Sequence, residues 1–174
     1  MNLKKIIFLV VLVITSTYLI IFQWQLAPRP VYLLITNSTD LSKENINGLK
    51  LHENIKESNF IKKYGEIHYL NMNSSHDYFS LKNGLVIATD KGSHEIVRII
   101  VNDNNTKKLV TQNGIKLGDF SEKVVKLYGK NNYKRREQGA EILGYIDKKN
   151  QITLEFWCEE NKIQMIRLDI TSMN

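Results

Sequence analysis

The sequence states one pattern twice. Residues 47–65 read NGLKLHENIKESNFIKKYG, and residues 113–129 read NGIKLGDFSEKVVKLYG. Asn47-Gly48-Leu49-Lys50-Leu51 aligns with Asn113-Gly114-Ile115-Lys116-Leu117. Phe60-Ile61-Lys62-Lys63-Tyr64-Gly65 aligns with Val124-Val125-Lys126-Leu127-Tyr128-Gly129. The first copy carries two extra residues between these anchors. Two anchors in one order, at nearly one spacing, point to an architecture that uses the same unit twice.

Both copies have the same physical reading. Asparagine followed by glycine suits a tight turn, and alternation of Leu49 with Leu51, or Ile115 with Leu117, predicts a short extended stretch with one apolar side. A helix follows. Asn54 with Glu57 three residues on makes a capping box in the first copy; Asp119 with Glu122, or Ser121 alone, caps the second. Val124, Leu127 and Tyr128 form one apolar stripe, as do Phe60, Ile61 and Tyr64. Gly65 and Gly129 end the helices with backbone that glycine adopts cheaply. The apolar period then drops to two. IHYLNMN, DYFSLKNG, LVIATDKG and EIVRIIV follow the first helix; EILGYIDKKN, QITLEFWCEEN and KIQMIRLDI follow the second. Asn83-Gly84, Lys91-Gly92, 147–150 and 159–161 supply the turns. A unit of about 60 residues is marginal alone, so the pair must join their sheets or pack face to face.

The N-terminus reads as an address. Lys4 and Lys5 precede IIFLVVLVITSTYLIIF, residues 6–22, which carry no charge. A membrane-crossing helix needs about 20 apolar residues, with a lower limit of about 17. Thr15, Ser16 and Thr17 can satisfy themselves on helix carbonyls, and Trp24 suits the headgroup level. The lysines set the N-terminus in the cytoplasm and the remainder outside. Gln25-Leu26-Ala27 is a poor cleavage site, so an uncleaved signal anchor is favoured over a cleaved signal. The expected fold class is therefore α+β: two repeated units, each a helix followed by an antiparallel β-meander, after one N-terminal transmembrane helix. The expected divisions are an anchor over 1–27, a tether over 28–46 with VYLLIT (31–36) as an added strand, a first repeat over 47–106 and a second over 107–174.

The run G-(I/L)-K-(I/L)-G-D-x-x-x-K-V-x-x-x-Y-G, followed by a hairpin with an aromatic strand, resembles the BamE/SmpA-like module. Residues 113–168 carry the resemblance best and 47–101 more weakly. The resemblance implies a non-enzymatic binding fold: the module occurs in a small outer-membrane assembly lipoprotein, and a tandem version builds the β-lactamase inhibitory protein, which binds through its concave sheet surface. The sequence departs from the pattern at Phe120, where a small hydroxyl residue is usual, and at His52, which replaces the glycine seen at Gly118.

Little in the sequence suggests catalysis. His52, His68, His76 and His94 have no spacing suited to a metal, and phosphate loops and nucleophile elbows are absent. No cofactor or metal is expected, and no enzyme. The lone Cys158 cannot close an internal disulfide; in ITLEFWC it shares one side with Leu154 and Phe156 and reads as a buried thiol. Glu155 and Trp157 share the other side. Trp157 either stacks under another element or anchors a partner, and Glu155, Tyr133, Tyr145 and Tyr69 are its candidate neighbours in that second case. The formal net charge of +6 favours anionic partners. Lys134-Arg135-Arg136, in a loop or strand end, is the densest basic run and the candidate contact for wall polymer or lipid. Lys107-Lys108 and Lys148-Lys149 add to it. Asn37-Ser38-Thr39, Asn73-Ser74-Ser75 and Asn104-Asn105-Thr106 match glycan acceptors. Two functions are expected to compete. One is a membrane-anchored, extracytoplasmic protein-binding or inhibitor-like module; the other is a structural component of a bacterial cell envelope. Nucleic acid is not expected as a partner.

Overall fold

The computed structural model describes residues 3–24, 28–72, 75–102 and 108–173; for 3, 4 and 18–24 it describes the helix path alone. The Gln25-Leu26-Ala27 site, the side group of Trp24, Lys107, the 106/107 boundary and the acceptor asparagines Asn73, Asn104 and Asn105 lie outside the described residues.

Four helices and eight strands are present among the described residues. They run α1 (Leu3–Trp24), α2 (Arg29–Ile35), α3 (Phe60–Tyr64), β1 (Ile67–Met72), β2 (His76–Leu81), β3 (Val86–Asp90), β4 (Ile96–Val101), α4 (Ser121–Tyr128), β5 (Tyr133–Glu137), β6 (Ala140–Asp147), β7 (Ile152–Glu159) and β8 (Lys162–Ile170). All eight strands belong to one sheet in the order β1-β2-β3-β4-β8-β7-β6-β5, every pairing antiparallel. This corrects the expected architecture of two helix-plus-meander repeats behind an anchor. The β4–β8 ladder, with Ile99 opposite Leu168 and Val101 opposite Ile166, merges everything into a single antiparallel sheet with few helices. The physical reason is burial. Ile99 and Val101 have no exposure, and a free β4 edge would leave both their backbone and their apolar groups in water.

The transmembrane expectation is also corrected. Among the described residues no helix is long and apolar enough to cross a membrane. α1 runs from Leu3 to Trp24. Within it, Thr15, Ser16 and Thr17 turn their hydroxyls back on the carbonyls of Val11, Leu12 and Val13. The single-pass anchor, and the extracytoplasmic placement that depended on it, therefore fall.

Local corrections have local causes. Val31 to Ile35 of VYLLIT are helical, within α2, instead of a strand, and Thr36 is the extended C-cap: Pro28 is the N-cap and Pro30 stands in the first turn, where a fixed φ and a missing N–H cost nothing. The capping boxes do not form. α3 is preceded by Asn59, and α4 by Phe120 with extended backbone. Asn54 and Asp119 instead accept backbone N–H bonds from Lys56 and Lys116 within their own turns. In α4 the buried positions are Val124 and Tyr128, while Leu127 is 42 % exposed. In α3 Phe60 is buried and Ile61 is 44 % exposed. Gly129 stops α4 at φ +89° and ψ −171°, a region that only glycine enters without strain.

α3, α4 and the turns around Leu49 and Ile115 cover one side of the sheet. One row of directly opposed residues crosses that side from Tyr145 through Leu154, Leu168, Ile99, Ile87 and Phe79 to Tyr69. It is dry in the middle and opens at Tyr69, which is 52 % exposed. α2 lies on the opposite side, through contacts described next.

Candidate functional site

Strand register assembles a charged cluster on the α2 side. Tyr133 opposes Gly144, Gly144 opposes Glu155, and Glu155 opposes Arg167; one row away, Thr153 opposes Asp169 and Asp169 opposes Arg98. Glu155 has 0 % exposure. Its carboxylate receives Arg29 at 3.2 Å, Arg135 at 3.2 Å, Arg167, and the Tyr133 hydroxyl at 2.6 Å. Asp169, equally buried, receives Arg98 at 2.8 Å, Arg167 at 3.0 Å and Arg29 at 3.1 Å. Burial pushes the Glu155 carboxyl up, but Arg167, Arg29, Arg135 and the Tyr133 bond together hold it at about 2. Burial raises the Tyr133 hydroxyl, and the adjacent Glu155 charge raises it further. For Arg98, burial works against the charge and Asp169 outweighs it, so its pKa is raised.

α2 forms the lid of this cluster. Arg29 donates to Glu155, Thr153, Asp169 and the Met173 carbonyl. Tyr32 stacks on Tyr133 with ring centroids 5.6 Å apart. Trp157 lies beside them, 8 % exposed, with the Arg167 guanidinium 5.2 Å and the Arg135 guanidinium 5.8 Å from its ring centroid. The expected exposed aromatic surface is thus corrected: Trp157, Glu155 and Tyr133 come together, but inside the protein. Tyr145 is on the other side of the sheet, packed against Tyr128 and Phe156, with its hydroxyl donating to the Gly129 carbonyl at 2.9 Å. Tyr69 is at the far edge strand, against Phe79.

Sequence reasoning missed Arg29, Arg98, Arg167 and Asp169. A signal existed for three of them. Arg98 interrupts IVRIIV, while Arg167 and Asp169 sit two apart in KIQMIRLDI. A charge inside an otherwise apolar strand demands a buried partner.

The basic run divides by strand alternation. Lys134 and Arg136 point to one side and are exposed; Arg135 points to the other and is buried. Arg136 is held by Glu141 at 2.7 Å, and Arg135 by Glu137 and Glu155. A continuous anionic-surface contact through Lys134, Arg135 and Arg136 is therefore corrected to Lys134 as the one cation of the three without an ion-pair partner among the described residues.

These residues belong to edge strand β5, whose outer backbone has no ladder partner in the sheet order. Between β5 and α4 is a cavity of about 420 Å³. Val125, Leu143 and Cys158 give it an apolar floor; Ser121, Glu122, Lys134, Arg136, Glu141 and Asn161 give it a polar rim. A second cavity of about 360 Å³ adjoins it around Tyr32, Thr36 and Asn37 and the 130–134 segment, with Lys134 lining both. The floor is not a reactive centre. Burial, reinforced by Glu141 and Glu122, pushes the Cys158 thiol up to about 11. Among the described residues no group of three or more His, Cys, Asp or Glu is placed to hold a metal ion. What the site offers is shape, unpaired backbone and charge.

Compared with known protein families, curated proteins and solved structures, the protein matches none.

Proposed function

We propose that the protein is a non-catalytic binding module that receives an extended segment of another protein in the groove between β5 and α4. The observation that carries this reading is the coincidence of an open strand edge with an apolar-floored cavity along it. A peptide added to a sheet edge gains affinity from main-chain hydrogen bonds and specificity from side groups that drop into adjoining pockets. A floor of Val125 and Leu143 suits an aliphatic residue, and the rim supplies hydrogen-bonding groups on either hand. The resemblance of the repeat to BamE-like modules, which act by binding proteins, points the same way. The competing reading of a basic structural component has less support, because Arg135 is committed to the buried Glu155 and Arg136 is paired with Glu141 at the surface.

The test is selection of displayed random heptapeptides on the full-length protein. Recovered peptides should bind with micromolar Kd, shift the amide resonances of residues 121–125 and 133–137, and lose at least tenfold in affinity on Val125→Glu. Recovery of no binder, or binders that shift other regions only, overturns the reading.

A further inference from the structure

The two free edges of the sheet are built differently. β5 carries Lys134, Arg136 and Glu137. β1 reads Ile67-His68-Tyr69-Leu70-Asn71-Met72, with no lysine, arginine, acid or proline, and every residue after Ile67 is exposed. Natural sheets guard an open edge with charge or proline, because an unguarded one pairs with another strand. We propose that β1 pairs with β1 of a second copy of this chain, antiparallel and about a two-fold axis, so that two eight-stranded sheets join edge to edge. This goes beyond the groove reading and does not depend on it.

Charge selects a second copy as the occupant. In a two-fold joint the same surface serves on both sides, so each residue meets its own copy or a near neighbour of it. Like charges set directly opposite are destabilising. A joint of this kind at β5 would set Lys134 and Arg136 against the cations of the other copy. At β1 it brings together only His68, Asn71, Tyr69 and aliphatic groups, and nothing repels.

The register shows what the partner covers. Ile67 opposes Leu81 and Tyr69 opposes Phe79; Leu81 belongs to the core, and Ile67 and Phe79 pack against it. The β1–β2 ladder then shifts at Leu70, so that Asn71 opposes Tyr78 and Met72 opposes Asp77. Asp77 opposes Thr89, and Thr89 opposes the core residue Ile96. Tyr78 instead leads through Ala88 to Arg98 in the charged cluster. Opposed residues share a side of the sheet, and strict alternation would have put Met72 with His68. The extra residue therefore gathers Ile67, Tyr69 and Met72 on the helix side and leaves His68 and Asn71 on the α2 side. Tyr69 and Met72 are 52 % and 65 % exposed. Tyr69 is the open end of the apolar row that starts at Tyr145, and a second β1 carries that row on into its own Tyr69 and Phe79. Both rings then leave water, which favours the joint.

The chain already contains one joint of this type. The halves β1–β4 and β5–β8 meet edge to edge at β4 and β8, with four opposed pairs from Arg98–Asp169 to Val101–Ile166. The six residues of β1 can form a ladder of similar length. A joint between copies has no chain connection and a small area, and interfaces of that size are weak. Association is therefore reversible and depends on concentration.

The test uses the full-length protein and the single substitutions His68→Cys, Tyr69→Cys, Leu70→Cys, Asn71→Cys and Met72→Cys, with Lys116→Cys in an exposed turn as the collision control. Opposed Cα atoms on paired strands lie about 4.5–5.5 Å apart, within disulfide reach. Air oxidation with copper phenanthroline should give covalent dimer at least fivefold faster at the one or two β1 positions nearest the axis than at the control. The parent, whose Cys158 is buried, should give none. In sedimentation the parent should show a monomer–dimer equilibrium. Tyr69→Lys should weaken it at least tenfold with an unchanged urea midpoint, the residue being exposed, and Met72→Lys provides the same readout where the first substitution alters folding. A parent that stays monomeric at its highest soluble concentration overturns the proposal. So does association that Tyr69→Lys and Met72→Lys leave unchanged, since it then runs through another surface. Cross-links between Tyr69→Cys and Lys134→Cys molecules that grow into longer oligomers replace the two-fold joint with a head-to-tail one and overturn it as well. None of these outcomes bears on the β5 groove.

Discussion

The Tyr133 ring lies across Gly144, and its hydroxyl donates to the buried Glu155 carboxylate at 2.6 Å. A Cβ at position 144 would stand 2.1 Å from the Tyr133 ring carbon Cζ, far inside contact distance. Gly144→Ala must therefore displace the ring, break the Glu155 bond and unstack Tyr32. It should lower the unfolding free energy by about 2–4 kcal/mol. In a Tyr133→Ala background the same change should cost less than about 1 kcal/mol, because nothing is left to collide with. Urea unfolding of the parent and the three variants gives the cycle. Equal costs in both backgrounds would show that the glycine serves something other than this crossing.

Glu155 should make the protein acid-sensitive in a defined window. Its folded pKa of about 2 lies below the ordinary 4.5. A depressed carboxylate stabilises the fold above its unfolded value, and that contribution is lost as pH falls through the folded one. Each unit of difference is worth about 1.4 kcal/mol, so stability should fall by on the order of 3 kcal/mol between pH 4.5 and pH 2 from this group. Glu155→Gln should already be about 3–5 kcal/mol less stable at neutral pH, having left Arg29, Arg135 and Arg167 short of their shared anion. Its stability should be flatter across the acid window. Chemical unfolding at stepped pH decides it, and parallel curves for parent and variant would remove Glu155 from the account.

Glu44 should behave with the opposite sign. It is buried against Tyr128, whose hydroxyl donates to it at 2.9 Å. Burial raises its pKa, only partly offset by hydrogen bonds from the Gln112 and Asn45 N–H groups and from Tyr128. A raised carboxyl favours the fold below its unfolded pKa and loses that advantage as pH rises through the folded value. Glu44→Gln keeps the shape and removes the buried charge. The variant should equal or exceed the parent's stability at pH 7, by up to about 1 kcal/mol. A loss of more than about 2 kcal/mol would mean that the Tyr128 and Gln112 bonds require the ionised acceptor.

Cys158 should be silent in the folded protein. It lines a cavity, yet it is 5 % exposed and its thiol is pushed up to about 11. The thiolate is the reactive form, so a disulfide reagent at pH 8 should label it only at the rate of unfolding, and fully in denaturant. Rapid native labelling would show that the groove floor opens.

Strand alternation in ITLEFWC was enough to divide Leu154, Phe156 and Cys158 from Glu155 and Trp157, because that division needs only the period of two. What covers each side was not legible. Trp157 reads as an anchor or as packed; its cover comes from Arg167 on β8 and from Arg135 on β5, two strands away. VYLLIT misled because aromatic and branched residues suit a strand, while Pro28 and Pro30 had already set a helical start. The β5–α4 groove was invisible for the same reason as the β4–β8 join. Both depend on which strand becomes an edge, a property of the whole sheet and of no single segment.

The β4–β8 ladder has a kinetic consequence. Every other pairing joins strands adjacent in sequence, so hairpins can form during synthesis. β4 must wait for β8, whose partners for Arg98 to Val101 lie at 166–169, and closure over such a separation is slow. Until then Ile99 and Val101 sit on an open edge that any strand can pair with. The centre of the finished sheet is thus its last part to assemble, and newly synthesised molecules are most prone to aggregate in the interval between completing β4 and completing β8.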